Sequence, residues 1–169
     1  MNAANLIDME IRKLLAEDWP QVKLIYEKGI QAGNATFQTS APSWEEWDQS
    51  HLSSCRIVIE SNKRLTGWAA LTPVSSRCVY AGVAEVSVYV DPAHSGKGIG
   101  FMLLNELVKK SETEGIWTLQ AGIFPENIAS LRIHEKVGFR ILGIREKIGK
   151  QNGIWRDTVL LERRSSLVI

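Results

Sequence analysis

The residues that usually announce a metal centre or a disulfide scaffold are scarce in this chain. There are two cysteines, Cys55 and Cys78, far apart and with no CxxC. They suit reduced thiols in a cytoplasm, serving as small apolar fillers. The three histidines, His51, His94 and His134, stand at no metal-ligand spacing from each other or from the cysteines, so no metal is expected. His51 and His94 read as surface residues. Charge of one sign is lacking too: 20 basic and 19 acidic residues leave a net charge of +1. Without a basic stripe, nucleic acid is not an expected partner. No apolar run is long enough to cross a bilayer, so no membrane is expected. The first residues, Met1 to Asp8, have neither the basic start nor the long apolar core of a signal peptide. No repeat, low-complexity tract or linker divides the 169 residues. One domain over 1–169, with a core at about 9–164, is the reading; a chain of this length buries about 70% of its unfolded surface.

What is present is concentrated between Glu85 and Leu104. The apolar, β-branched run Glu85-Val-Ser-Val-Tyr-Val90 stops at Asp91-Pro92, passes three alternate glycines, Gly96, Gly98 and Gly100, and opens into an amphipathic helical pattern. Strand, glycine turn and helix N-terminus together make an anion site. Glycine lets the backbone approach a ligand closely. The first helical amides lack intrahelical acceptors, and their dipoles add about half a positive charge. The spacing G-x-G-x-G matches neither the dinucleotide fingerprint nor the triphosphate loop. Nor does a carboxylate end the Gly115–Ala121 region, where a ribose-binding acid would stand.

Around this centre, Glu10–Leu14 reads as a first strand. Asp18 reads as an N-cap ahead of Pro20, with Val22, Leu24, Ile25 and Ile30 as the buried face of a helix ending at Gly29 or Gly33. Ser43 and Glu46 form a capping box. Arg56–Glu60 and Leu65–Leu71 pair as a hairpin, and a longer strand runs from Val79 to Val90. The helix after the glycines buries Ile99, Met102, Leu103, Leu107 and Val108 and ends near Gly115. A short strand, Trp117–Ile123, precedes a helix opened by Glu126-Asn127 that carries Ile128, Leu131, Ile133 and Val137, with Gly138 as its C′ residue. Strands Arg140–Ile148 and Ile154–Glu162 flank a Gly149–Gly153 turn. This order predicts a mixed α/β sheet with helices on both faces, not a doubly wound parallel sheet.

Three motifs give the chain its resemblance to the GNAT superfamily of acetyl-CoA-dependent N-acetyltransferases. The first is the strand V-x-V-Y-V with a loop of the form Gln/Arg-x-x-Gly-x-Gly/Ala, here Ser95-Gly96-Lys97-Gly98-Ile99-Gly100. The second is Asn127 to Phe139, containing Ser130, His134 and Gly138; the third is Gly153-Ile-Trp155-Arg-Asp157. Thr36-Phe37, Arg77-Cys-Val-Tyr80 and Glu85 make the chain similar to the phosphinothricin N-acetyltransferase branch, which includes methionine sulfone and sulfoximine acetyltransferases. The resemblance implies one domain of the acyl-CoA N-acyltransferase fold, a mostly antiparallel twisted sheet with helices on both faces. It also implies acetyl-CoA as co-substrate and a small amino-acid-like amine as acceptor. Ser95 departs from the usual Gln or Arg, which shifts a side-chain phosphate contact to Lys97 or removes it.

The resemblance implies the following roles. Val88, Tyr89 and Val90 offer backbone groups to the pantetheine arm and the thioester oxygen. The loop Ser95–Gly100 takes the pyrophosphate, and Asn127 and Ser130 contact the cofactor at the next helix. Glu85, upstream of the acetyl site, is the candidate general base; its apolar strand would bury it and raise its pKa toward neutrality. His134 stands where many members carry tyrosine, as the candidate acid for the departing thiolate. Arg77, Phe37 and Tyr80 are the candidate acceptor contacts, since a guanidinium forks onto a carboxylate. Trp68, Trp117 and Trp155 read as core or rim, whereas Trp44 and Trp47 would cover the acceptor site. Alternative readings are a protein or peptide N-terminal acetyltransferase and a non-catalytic CoA-binding regulatory module. A homodimer follows by analogy, through the C-terminal strands or the Trp-rich N-terminal helix.

Overall fold

The computed structural model describes residues 9–169, so the reading of Met1–Asp8 falls outside the described residues. Seven strands form one sheet: β1 (Met9–Lys13), β2 (Ile57–Ser61), β3 (Arg64–Pro73), β4 (Val83–Val90), β5 (Thr118–Ile123), β6 (Arg140–Gln151) and β7 (Ile154–Arg164). Their spatial order is β1-β2-β3-β4-β5-β7-β6. Every neighbouring pair is antiparallel except β4 and β5, which run parallel. Four helices accompany them: α1 (Trp19–Ala32), α2 (Trp44–Ser50), α3 (Ile99–Thr113) and α4 (Ile128–Lys136). The expected mixed, mostly antiparallel sheet is what forms.

Side chains alternate across a strand, and β3 uses the alternation fully. Trp68 and Ala70 join Val58 of β2 against Trp19, Val22 and Ile25 of α1 and Trp47 of α2. Ala69 and Leu71 face Leu103, Leu104 and Leu107 of α3 on the other side, where α4 adds Leu131, Ile133 and Val137. The sheet is thus sandwiched, with α1 and α2 on one face and α3 and α4 on the other. Gly67 permits the close approach of α3, because a Cβ there would meet Leu103 Cδ1 and the Tyr89 carbonyl oxygen, each at 2.8 Å.

Several local expectations change. Asp18 precedes α1 but does not cap it. Its carboxylate accepts from the Leu15 amide and from both terminal nitrogens of Arg12, each at 2.8 Å, so an ion pair outcompetes the cap. Leu24 is exposed, and Trp19 takes its place on the buried face of α1. In α3 Leu104 is buried while Met102 is only partly so. The strand expected from Val79 begins at Val83 instead. Cys78–Tyr80 form a short 3-10 turn, and Trp117 packs flat on Gly82, where no Cβ could fit.

Trp44 and Trp47 do not cover the acceptor site. Trp47 is fully buried, Trp44 stacks on it at 5.8 Å, and both pack with Trp19 on the α1 face. The Trp-rich helix therefore turns Trp47 fully, and Trp44 in part, into the core. His51 is no surface bystander: it stacks on Trp47 at 4.1 Å, and burial lowers its pKa. The last turn is tighter than Gly149–Gly153. Asn152 and Gly153, at φ of 50° and 79°, make a two-residue hairpin turn, and Gly149 to Gln151 continue β6. The Ser43–Glu46 capping box forms as expected.

Candidate active site

The site is created where β4 and β5 part. They pair only through Val83–Glu85 and Thr118–Gln120. Beyond that register β4 continues to Val90 with β3 as its partner, and β5 continues to Ile123 against β7. The edge of Val86–Val90 that faces β5 therefore lacks a strand partner. Backbone amides and carbonyls left open in this way demand other partners, and a ligand arm laid between the strands would supply them.

At the far end of β4 the chain makes a 3-10 turn, Pro92–His94, and enters α3 through the glycines. Gly96 and Gly98 adopt φ of 75° and 79°, and nothing lies within 4 Å of where a Cβ would stand on either. That open space lies against the first, unpaired amides of α3, which makes it a cradle for an anion. Gly100 has a different cause: a Cβ there would come 3.1 Å from Ile133 Cδ1, so this glycine lets α3 and α4 pack. Ile99 is buried, whereas Ser95 and Lys97 are exposed.

A cleft of about 330 Å³ opens along the parted strands. It gathers Phe37, Glu85, Val88, Tyr89, Asn127, Ser130 and His134, seven of the residues singled out above. Asn127 caps α4, its Oδ1 accepting from the Ser130 amide at 3.2 Å, while its Nδ2 donates to the Asn34 carbonyl at 3.1 Å. His134 is 3% exposed. Its Nδ1 lies 2.7 Å from the Ser130 carbonyl oxygen. A carbonyl can only accept, so Nδ1 carries the proton. The buried Nε2 then has no partner. Desolvation lowers the pKa of this imidazole, against the opposing pull of the Ser130 carbonyl. At neutral pH His134 is therefore an uncharged ring presenting a bare lone pair, and it must take up a proton before it can give one.

Glu85 is exposed, contrary to the burial expected of it. The parting of the strands uncovers this side of β4, and Gln120 Nε2, opposite it in the parallel register, donates to Glu85 Oε2 at 3.0 Å. Tyr89 shares the cleft, but its ring turns to the α1 face, stacking on Trp68 at 4.8 Å; burial pushes its phenol pKa up. Arg77 and Tyr80 lie outside the cleft, both exposed, with the guanidinium 5.4 Å from the Tyr80 ring centroid. Gln120 and Thr158, which also borders the cleft, went unnoticed in the sequence. Neither carries a motif, and only strand pairing brings them to the site. Among the described residues no group of three or more His, Cys, Asp or Glu could hold a metal, and no helix is long and apolar enough to cross a membrane.

Comparison with known proteins agrees with this geometry. Residues 9–139 match the Acetyltransferase (GNAT) family. The chain is 29% identical over 164 residues to a phosphinothricin N-acetyltransferase of Streptomyces coelicolor, covering 92% of this chain and 96% of that one. The crystal structure of a phosphinothricin acetyltransferase from Sinorhizobium meliloti, in complex with acetyl-CoA, superposes with a TM-score of 0.84 at 27% identity, over 94% of this chain and 89% of that one. A ribosomal-protein-alanine N-acetyltransferase from Brucella melitensis superposes equally, at a TM-score of 0.84 and 26% identity, over 92% of this chain and 99% of that one. The residues present here fit acetyl-CoA: Gly96 and Gly98 leave room for a pyrophosphate at the α3 N-terminus, and the open β4 edge can hydrogen-bond a pantetheine arm. With the family matched across most of its length, the chain belongs to the GNAT acetyltransferases and is an acetyl-CoA-dependent N-acetyltransferase.

Proposed function

We propose that this enzyme acetylates the α-amino group of a small amino-acid-like acceptor of the phosphinothricin, methionine sulfone or methionine sulfoximine type. The observation that carries the reading is the meeting of Glu85, the unpartnered Nε2 of His134 and the open β4 edge in a single cleft of about 330 Å³. Such a volume suits a small molecule. When bound, acetyl-CoA supplies the activated acetyl group. The chain supplies position and proton handling. Backbone amides of Val88–Val90 orient and polarise the thioester oxygen, and Ser95–Gly100, Asn127 and Ser130 hold the cofactor in line. Glu85, held by Gln120, takes the proton from the acceptor ammonium, a role worth about 10²–10⁴ in rate. His134 accepts at Nε2 the second proton, which the amine nitrogen sheds as it bonds to the acetyl carbon, and returns it to the departing sulfur. Phe37 contacts the acceptor within the cleft, and Arg77 and Tyr80, which lie outside it, are the proposed contacts of the acceptor's carboxylate.

The acting form in this proposal is a cytoplasmic homodimer of one-domain subunits. β6 is an edge strand, and Ile141, Leu142, Ile144 and Ile148 are all more than 45% exposed, as are Ile154 and Trp155 of β7. An apolar face of this kind on a sheet edge invites burial against a partner, and a second copy is the occupant proposed. The likeness to a ribosomal-protein-alanine N-acetyltransferase favours a second reading, in which the acceptor is a protein N-terminus. Thiol release from acetyl-CoA decides between them. Turnover with free amino acids, methionine sulfone, methionine sulfoximine or phosphinothricin is expected. Turnover with a peptide N-terminus and none with any free amino acid or analogue would overturn the proposal.

A further inference from the structure

Within the segment Gly153–Asp157, Arg156 spends its guanidinium on four acceptors beside the cleft. The guanidinium donates to the Gly33 carbonyl at 3.1 Å, to Gln151 Oε1 at 2.5 Å, to Asn34 Oδ1 at 2.8 Å and to Glu126 Oε2 at 3.2 Å. It also lies 4.0 Å from the Phe124 ring centroid. All of these partners except Glu126 lead to the wall formed by Asn34–Gln38, the irregular connection that follows α1 and lines the cleft. Gln151 Nε2 donates to the Thr36 carbonyl at 2.8 Å. Asn34 accepts from Asn127 through its own carbonyl. Phe37 meets Phe124 edge-on at 4.8 Å and presses on Gly149, where a Cβ would stand 2.9 Å from its ring.

A connection without helix or strand bonds holds its place only through such outside ties. Arg156 gathers them with a planar fork that lysine cannot copy. Resting on the function proposed above, we infer that Arg156 is a positioning residue that sets the acceptor-side wall, fixing Thr36 and Phe37 against the bound amine. Small displacements of a positioning wall cost catalysis heavily, so the acceptor should feel the loss of Arg156 more than acetyl-CoA, whose link to this wall is the Asn127–Asn34 hydrogen bond.

The test pairs R156K with R156M in the full chain and reads both steady-state kinetics and amide hydrogen exchange. Exchange at residues 34–38 should quicken at least tenfold in both variants while α3 stays protected. With the acceptor that the wild type turns over, its KM should rise about tenfold or more, well beyond any rise in the KM of acetyl-CoA. In a Phe37→Ala background R156K should add little. Unchanged exchange at 34–38, or KM values for acceptor and acetyl-CoA that rise together, would overturn the inference. Failure of the wild type on every amino-acid acceptor counts against the proposed function instead; the exchange result still decides the positioning role.

Discussion

Acidification should weaken the fold through His134, and the size of the effect follows from its surroundings. The ring is 3% exposed, and desolvation lowers its pKa while the Ser130 carbonyl, 2.7 Å from Nδ1, holds its single proton. In the unfolded chain the same imidazole titrates near its ordinary value of about 6.5. Below that pH the unfolded state binds a proton that the folded state resists, so stability is fully present above about 6.5 and is lost as pH falls. The slope for one such group cannot exceed about 1.4 kcal/mol per pH unit, which bounds the loss that His134 brings as pH falls below about 6.5. His51 is shifted in the same direction, also chiefly by burial, so the wild type should lose up to about twice that. Urea denaturation at a series of pH values, with m held common, measures it. His134→Phe changes the absolute stability by removing the Ser130 hydrogen bond, worth about 1 kcal/mol, but its diagnostic effect is on slope. The variant should lose stability with acid less steeply than the wild type below about pH 6.5. Parallel curves for the two proteins would refute the buried, neutral imidazole. The same variant should lower kcat at least tenfold by the proton-transfer role of Nε2.

Glu85→Gln should reduce kcat about a hundredfold and flatten the acidic limb of its pH profile; an unchanged profile would exclude Glu85 as base. Gly98→Ala places a Cβ on a backbone at φ of 79°, in the space left for the pyrophosphate, at a conformational cost of about 1 kcal/mol. KM for acetyl-CoA should rise severalfold while that of the acceptor stays level, and an equal rise in both would move the anion site elsewhere. Ile148→Asp, on the exposed edge strand, should shift sedimentation from dimer to monomer; a monomeric wild type would end the dimer proposal.

Signals contained within a few residues were legible without the structure. The glycines before α3, the Ser43–Glu46 box and the Asn127 cap are local hydrogen-bonding and torsional devices, so their chemistry shows wherever the chain goes. The spacing of Asn127, Ser130 and His134 on one helix likewise put three cleft residues in reach of one another. Expectations failed where distant residues compete. Arg12 drew Asp18 away from its cap, and Trp19 and Trp47 filled the face that Leu24 and an open Trp lid were to occupy.

The sequence by itself determined the elements, the anion cradle and the residues with the right chemistry for acyl transfer, because each is written in short-range spacing. Tertiary structure alone decided how they act. Only pairing between strands sets Gln120 opposite an exposed Glu85 and shows β4 leaving β5 just beyond it, and only that parting opens the backbone edge. Only packing buries His134 with one nitrogen bonded and the other bare. Only the hairpin of β6 and β7 carries Arg156 back to the loop at Asn34, because a contact across 122 residues depends on the whole sheet being in place.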